Sequence, residues 1–126
     1  MKSLASFTAL SLLASAVATA QAPWSVPPDD FGGAKPRSIG SWFSYDDYPD
    51  SAVKAGEQGY VTISFLIGLD GRMTDCKVVR SSGYPRLDAI PCKVLTKRAR
   101  FTPAKDASGA PIVTHGTTSM SFYTKP

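Results

Sequence analysis

Seven short punctuation marks lie between Tyr48 and Phe122, and their order limits the chain to one small architecture. They are Tyr48-Pro49, Gly59-Tyr60-Val61, Asp70-Gly71-Arg72, Ser81-Ser82-Gly83, Leu87-Asp88, Arg100-Phe101-Thr102-Pro103-Ala104 and Gly109-Ala110-Pro111. Each starts, stops or turns an element. Asp46, Asp47 and Asp50 suit the positive N-terminus of a short first helix, Pro49 its first position, and Gly56 the position just past its end. Val61, Ile63, Phe65 and Ile67 then alternate with Tyr60, Thr62, Ser64 and Leu66, the period of a half-buried strand. Gly68-Leu69-Asp70-Gly71 turns the chain, and a second strand follows from about Met73 to Arg80, with Cys76 and Val78 on one face.

A second helix covers roughly Leu87 to Arg98, with Leu87, Ile90, Val94 and Leu95 as its apolar stripe. Pro91 would break a helix interior, so the helix is expected to start with Asp88 as N-cap. That start places Pro91 in the first turn, where no donor is needed. The last strand is expected from Pro111 to Tyr123. Ile112, Thr114, Gly116, Thr118, Met120 and Phe122 line one face, and Val113, His115, Thr117, Ser119, Ser121 and Tyr123 line the other. Its wealth of Thr and Ser suits an edge strand that is half in water. The expected fold class is α+β, with a three-stranded antiparallel sheet and two helices packed on one face.

Three segments follow from composition. Residues 1–20 join Lys2, an apolar stretch from Leu4 to Val17 and the small-residue motif Ala18-Thr19-Ala20, the pattern of a signal peptide cut between Ala20 and Gln21. A retained anchor is the competing reading. It needs about 20 predominantly apolar residues, and this segment is diluted by six Ser and Thr between Ser3 and Thr19. Residues 21–45 form a lead-in whose prolines (Pro23, Pro27, Pro28 and Pro36) suggest an extended tether. Its aromatics, Trp24, Phe31, Trp42, Phe43 and Tyr45, are too many for a solvated linker. They serve either to cover the domain's own core, with Ile39 to Tyr45 packed down, or as a docking strip. Residues 46–126 make the domain.

Cleavage removes one charge, Lys2, and takes the formal net charge from +4 to +3. An exported chain does not meet the genome, so nucleic acid is not expected as a partner. At most the positive charge favours anionic surfaces, to which the cluster Lys93, Lys97, Arg98 and Arg100 could contribute. Two cysteines in an oxidising compartment form a natural pair, and a Cys76–Cys92 disulfide would tie helix to sheet. One His and no close Cys pair leave little for a metal or redox site. No converging catalytic constellation is apparent around His115, and the acids sit where they cap, so neither an enzyme nor a cofactor is expected.

Binding is better supported. A polar edge strand over 111–123 offers backbone donors and acceptors to a partner segment that adds as a further strand. The same edge offers itself to a second copy, which would give a homodimer.

The ordered marks from Tyr48 to Phe122 resemble the C-terminal domain of TonB, the periplasmic energy transducer of Gram-negative bacteria. Cysteines in the second strand and second helix resemble those of a subset of TonB-like domains from alphaproteobacteria. The resemblance implies two helices on a three-stranded sheet, whose edge strand recruits a short segment, the TonB box, from an outer-membrane receptor. The pairing strand here would be Pro111 to Tyr123. It also implies that Tyr48-Pro49, Gly59, Asp70-Gly71 and Arg100 to Pro103 shape the fold. The sequence departs from a force-transmitting TonB, which keeps a membrane helix and a long spacer. Here the leader looks cleavable, and 25 lead-in residues span at most about 80 Å. The expectation is therefore a periplasmic module that binds a TonB-dependent receptor or another envelope protein. The alternative is an envelope-maintenance scaffold that binds cell-wall polymer or a protein complex.

Overall fold

The computed structural model describes residues 25–123. The expected leader and its cleavage position at Ala20 and Gln21 lie outside the described residues. In chain order the elements are β1 (Lys35–Pro36), α1 (Asp50–Lys54), β2 (Gly59–Ile67), β3 (Met73–Arg80), α2 (Pro85–Asp88), α3 (Ile90–Arg98), β4 (Phe101–Thr102), β5 (Ala104–Lys105), β6 (Pro111–Ile112) and β7 (Thr114–Phe122). The fold is α+β. A three-stranded antiparallel sheet in the order β3-β2-β7 carries α1 and the α2–α3 pair on one face.

The alternation in β2 decides where the core sits. Val61, Ile63, Phe65 and Ile67 are fully buried against Leu87 and Leu95 from the helices, Phe101 from β4, and Met120 and Phe122 from β7. Each such side chain contributes about 1.5–3 kcal/mol by leaving water. Trp42 from the lead-in seals this core: its ring meets Phe101 edge-on at 5.2 Å, and its Nε1 donates to the Arg37 carbonyl at 3.0 Å. The hairpin between β2 and β3 turns where Asp70-Gly71 lies, with Asp70 Oδ1 accepting from the Arg72 N–H at 3.0 Å. Gly71 is required there twice over. Its φ is +79°, and an added Cβ would sit 2.0 Å from the Phe101 carbonyl oxygen. That close approach is held by the Phe101 N–H, which donates to the Gly71 carbonyl at 2.8 Å.

Several expectations are refined. Pro49 stands just before α1 rather than inside it, because Tyr45–Asp47 forms its own 3-10 turn, boxed by Ser44 and Asp47. Gly56, with φ of +71°, ends α1 as expected. Pro91 does lie in the first turn of α3, but Asp88 does not cap it. The helical stretch starts earlier, at Pro85, and the Asp88 carboxylate turns back to accept from Ser81 and Ser82 after β3. The described lead-in is not a free tether. β1 pairs with β4, Lys35 opposite Thr102 and Pro36 opposite Phe101.

The last strand is also shorter than expected. Pro111 and Ile112 form β6 and pair with β5, around a turn in which Asp106 Oδ1 accepts from Ser108 and Ala110. That small hairpin claims their main chain, so the sheet strand starts after Val113, and Tyr123 lies just past its end.

Candidate functional site

β7 is one of the two edges of the sheet, and its pairing to β2 is unbroken from Thr114 opposite Ile67 to Phe122 opposite Gly59. Its even-numbered residues face the helices, and Gly116, Thr118, Met120 and Phe122 are buried there. Gly116 makes room for Phe65, whose ring would lie 2.5 Å from an added Cβ. Its odd-numbered residues face the open side. There Thr62 and Ser119 hydroxyls meet at 2.8 Å, and His115 Nε2 lies 2.8 Å from Ser64 Oγ. His115 is thus an exposed strand histidine bonded to a hydroxyl across the sheet.

In an antiparallel ladder, main-chain groups point alternately toward one neighbour and the other. Thr117 sets the phase: its N–H donates to the Asp30 carbonyl at 2.7 Å, and its carbonyl accepts from the Asp30 N–H at 3.0 Å. Both bonds point away from β2. With no register shift in β7, the main chains of Ser119 and Ser121 also point outward. Among the described residues they have no main-chain partner on that side.

The outer edge therefore has two parts. Its 114–118 part carries the lead-in: besides the Asp30 bridge, Thr118 Oγ1 donates to Asp29 Oδ1 at 2.7 Å and Thr114 Oγ1 to the Phe31 carbonyl at 3.1 Å. Its 119–123 part opens on a groove of about 330 Å³, walled by Phe43, Ser44, Tyr45 and Tyr48. Tyr45 and Tyr123 are about half exposed at this groove. Tyr48 forms its floor. Its hydroxyl donates to the Glu57 carbonyl, and burial, with Tyr45 and Glu57 nearby, pushes the phenol pKa up. An extended segment laid here would meet free donors and acceptors on one side and aromatic surface on the other.

The remaining sequence candidates lie elsewhere. Cys76 and Cys92 form a disulfide with their Cα atoms 5.6 Å apart, joining β3 to α3 at the opposite edge of the sheet. In the basic cluster, Arg98 is already engaged, donating to Asp47 Oδ2 at 2.8 Å and to the Trp42 carbonyl at 3.1 Å. The bond from Arg98 holds the Asp47 carboxyl below its usual range. Arg100 donates to the Lys97 and Ala99 carbonyls. Among the described residues no group of three or more His, Cys, Asp or Glu could hold a metal ion. Sequence reasoning missed the Asp29–Phe31 contacts with β7. The available signal was the Gly32-Gly33 pair, which turns the chain away just after them.

The family model for the Gram-negative bacterial TonB protein C-terminal matches residues 44–124. The chain belongs to the TonB C-terminal family. The solution NMR structure of the Pseudomonas aeruginosa TonB C-terminal domain is similar at 24% identity and a TM-score of 0.58, over 75% of this chain and 89% of that one. At that identity the likeness shows the fold. No curated protein sequence matches the chain. Membership makes it a TonB-like domain of the cell envelope, of a kind that serves transport through contacts with receptors and other envelope proteins. No helix among the described residues is long and apolar enough to cross a membrane.

Proposed function

We propose that this domain is a periplasmic protein-binding module of TonB-dependent transport, which takes an extended segment of an outer-membrane receptor or other envelope protein as an added strand on β7. One observation carries the reading: among the described residues the outward main chain of Ser119 and Ser121 has no partner beside the Phe43–Tyr45–Tyr48 groove. Backbone bonds would supply affinity, and the groove would select a side chain. The cell-wall polymer reading has weaker support, because Arg98 and Arg100 are committed to contacts within the domain.

The test is an NMR titration with peptides from receptor plug domains. Peptide-induced shifts are expected at Ser119 to Tyr123 and at the groove aromatics. Ser121→Pro removes an outward N–H that the β2 ladder does not use, so it should leave the fold intact and weaken binding at least about tenfold. Unchanged affinity in that variant, or shifts confined to Lys93 and Lys97, would sink strand addition. The start of the protein purified from cells tests the exported state, with Gln21 as the expected first residue.

A further inference from the structure

The edge proposed for strand addition already has a strand on part of it, contributed by the chain's own lead-in. Asp30 exchanges both main-chain bonds with Thr117, as a partner residue would. Its neighbours alternate as a strand's do. Asp29 and Phe31 turn toward the helix side, where Asp29 Oδ1 accepts from Thr118 Oγ1 and the Phe31 ring meets those of Phe101 at 5.0 Å and Phe65 at 6.4 Å. Gly32 then lets the arm leave, with φ of +62° and no room for a Cβ against the His115 carbonyl oxygen at 2.9 Å. In the other direction no further main-chain bond to β7 follows among the described residues, and Pro28, two residues before Asp30, has no N–H with which to extend the ladder. The Ser25 carbonyl accepts instead from the Tyr60 hydroxyl of the central strand, at 2.9 Å.

We infer that residues 29–31 act as a resident strand, holding the 114–118 part of β7 closed until a partner displaces it. This rests on the reading of β7 as the binding edge, and it gives that edge both a regulation and a ligand chemistry. A partner first pairs with the open main chain at Ser119 and Ser121, then replaces the arm to gain Thr117. The segment that can do so reproduces what the arm offers: an extended stretch with a carboxylate for Thr118 and an aromatic ring two residues later for the Phe65–Phe101 surface. The arm competes from a short tether, at an effective concentration on the order of millimolar. A free segment without this acid-x-aromatic pattern would be confined to the 119–123 part.

The experiment uses the full chain and its Asp30→Pro variant, which removes the arm's central donor and leaves Phe31 in place. Amide hydrogen exchange is read at Thr117, with the outward amide of Ser121 as internal control. A synthetic peptide with the sequence of residues 25–33 is then added to both proteins. Expected are a Thr117 amide protected in the natural chain and exposed in the variant, and peptide binding at least about tenfold tighter to the variant. A peptide carrying Asp29→Asn and Phe31→Ala should bind the variant at least about tenfold more weakly than the natural peptide. An unprotected Thr117 in the natural chain, equal peptide affinity for both proteins, or no binding to the variant would each overturn the resident strand. Failure of the receptor reading would look different, as plug peptides that shift no β7 signal in either protein while Thr117 keeps its arm-dependent protection.

Discussion

β3 and β7 flank the same central strand, yet they meet solvent differently. β3 has two shifts of register against β2, one beside Asp75 with φ of +52°, and exposes Asp75, Lys77 and Arg80 along its length. Bulges and charges of that kind discourage a further strand. β7 is regular over nine residue pairs and polar, and its cover is a short piece of the lead-in bonded at Asp30, which we infer to be displaceable. One edge is blunted by its own covalent sequence, whereas the other is shielded by a segment that can leave. A module that works by strand addition needs the second kind of edge, and it needs the first kind so that partners do not add on both sides.

The largest expected effect breaks the β3 side. Replacing Cys76 and Cys92 by Ala removes a cross-link between residues 16 apart. A loop of that size contributes about 3 kcal/mol by restricting the unfolded chain. At roughly 4–8 °C per kcal/mol for a domain of this size, Tm should fall by more than about 10 °C. Thermal melts with and without reductant check the value. Amide exchange should rise more in β3 and α3 than at Thr117. Uniform loosening of both edges would mean that the disulfide does not distinguish them.

A smaller effect should appear on the β7 side from Gly32→Ala. The new Cβ would press on the His115 carbonyl oxygen and Thr114 at a φ that L-residues avoid, a strain of about 1–3 kcal/mol. The arm can escape that strain by lifting off β7, so the loss of global stability is capped by what arm docking contributes. Thr117 exchange should accelerate at least about tenfold while Tm falls by only a few degrees, as amide exchange and melting curves would report. A large fall in Tm with no change at Thr117 would show that the arm is a fixed part of the fold.

The contrast between the edges was only half legible in the residues. The alternation of β2 and the Asp70-Gly71 turn announce a hairpin, because burial and backbone conformation there are set by neighbours in sequence. Gly56 and Pro91 likewise mark helix ends for local reasons. Contacts outside those patterns, near or far along the chain, leave no such trace. Asp88 looks like an N-cap, yet its carboxylate serves the loop six and seven residues before it, at Ser82 and Ser81, which the N-cap pattern does not announce. Pro111 and Ile112 continue the alternation of β7, but a partner at Ala104–Lys105 takes them out of the sheet. Asp29, Asp30 and Phe31 read as linker because their partners lie more than eighty residues away.

The smallest effect is a pH dependence that touches both edges through two carboxylates. Burial pushes the Asp88 carboxyl up, but the hydrogen bonds from Ser81 and Ser82 at the end of β3 together outweigh it and lower its pKa. The Asp47 carboxyl, which accepts from the Ser44 N–H at the wall of the β7 groove, is lowered chiefly by its hydrogen bond from Arg98. A carboxyl whose folded pKa lies below the ordinary 3.8 holds fewer protons in the folded chain than in the unfolded one at acid pH. Its contribution is therefore whole above about pH 4 and is lost as pH falls through the lower folded value. Arg98 is exposed, so solvent screening keeps the contribution of the Asp47 pair small. Chemical denaturation between pH 7 and pH 2 should show stability level down to about pH 4 and falling below it. Asp88→Asn should flatten that fall and loosen Ser82 exchange at neutral pH. Asp47→Asn should flatten it less and leave Ser82 unchanged, while altering the signals of Ser44 and Tyr45 at the groove wall. A fall that begins near pH 6, or that neither variant flattens, would assign the acid sensitivity to other groups and leave the two edges without separate acid latches.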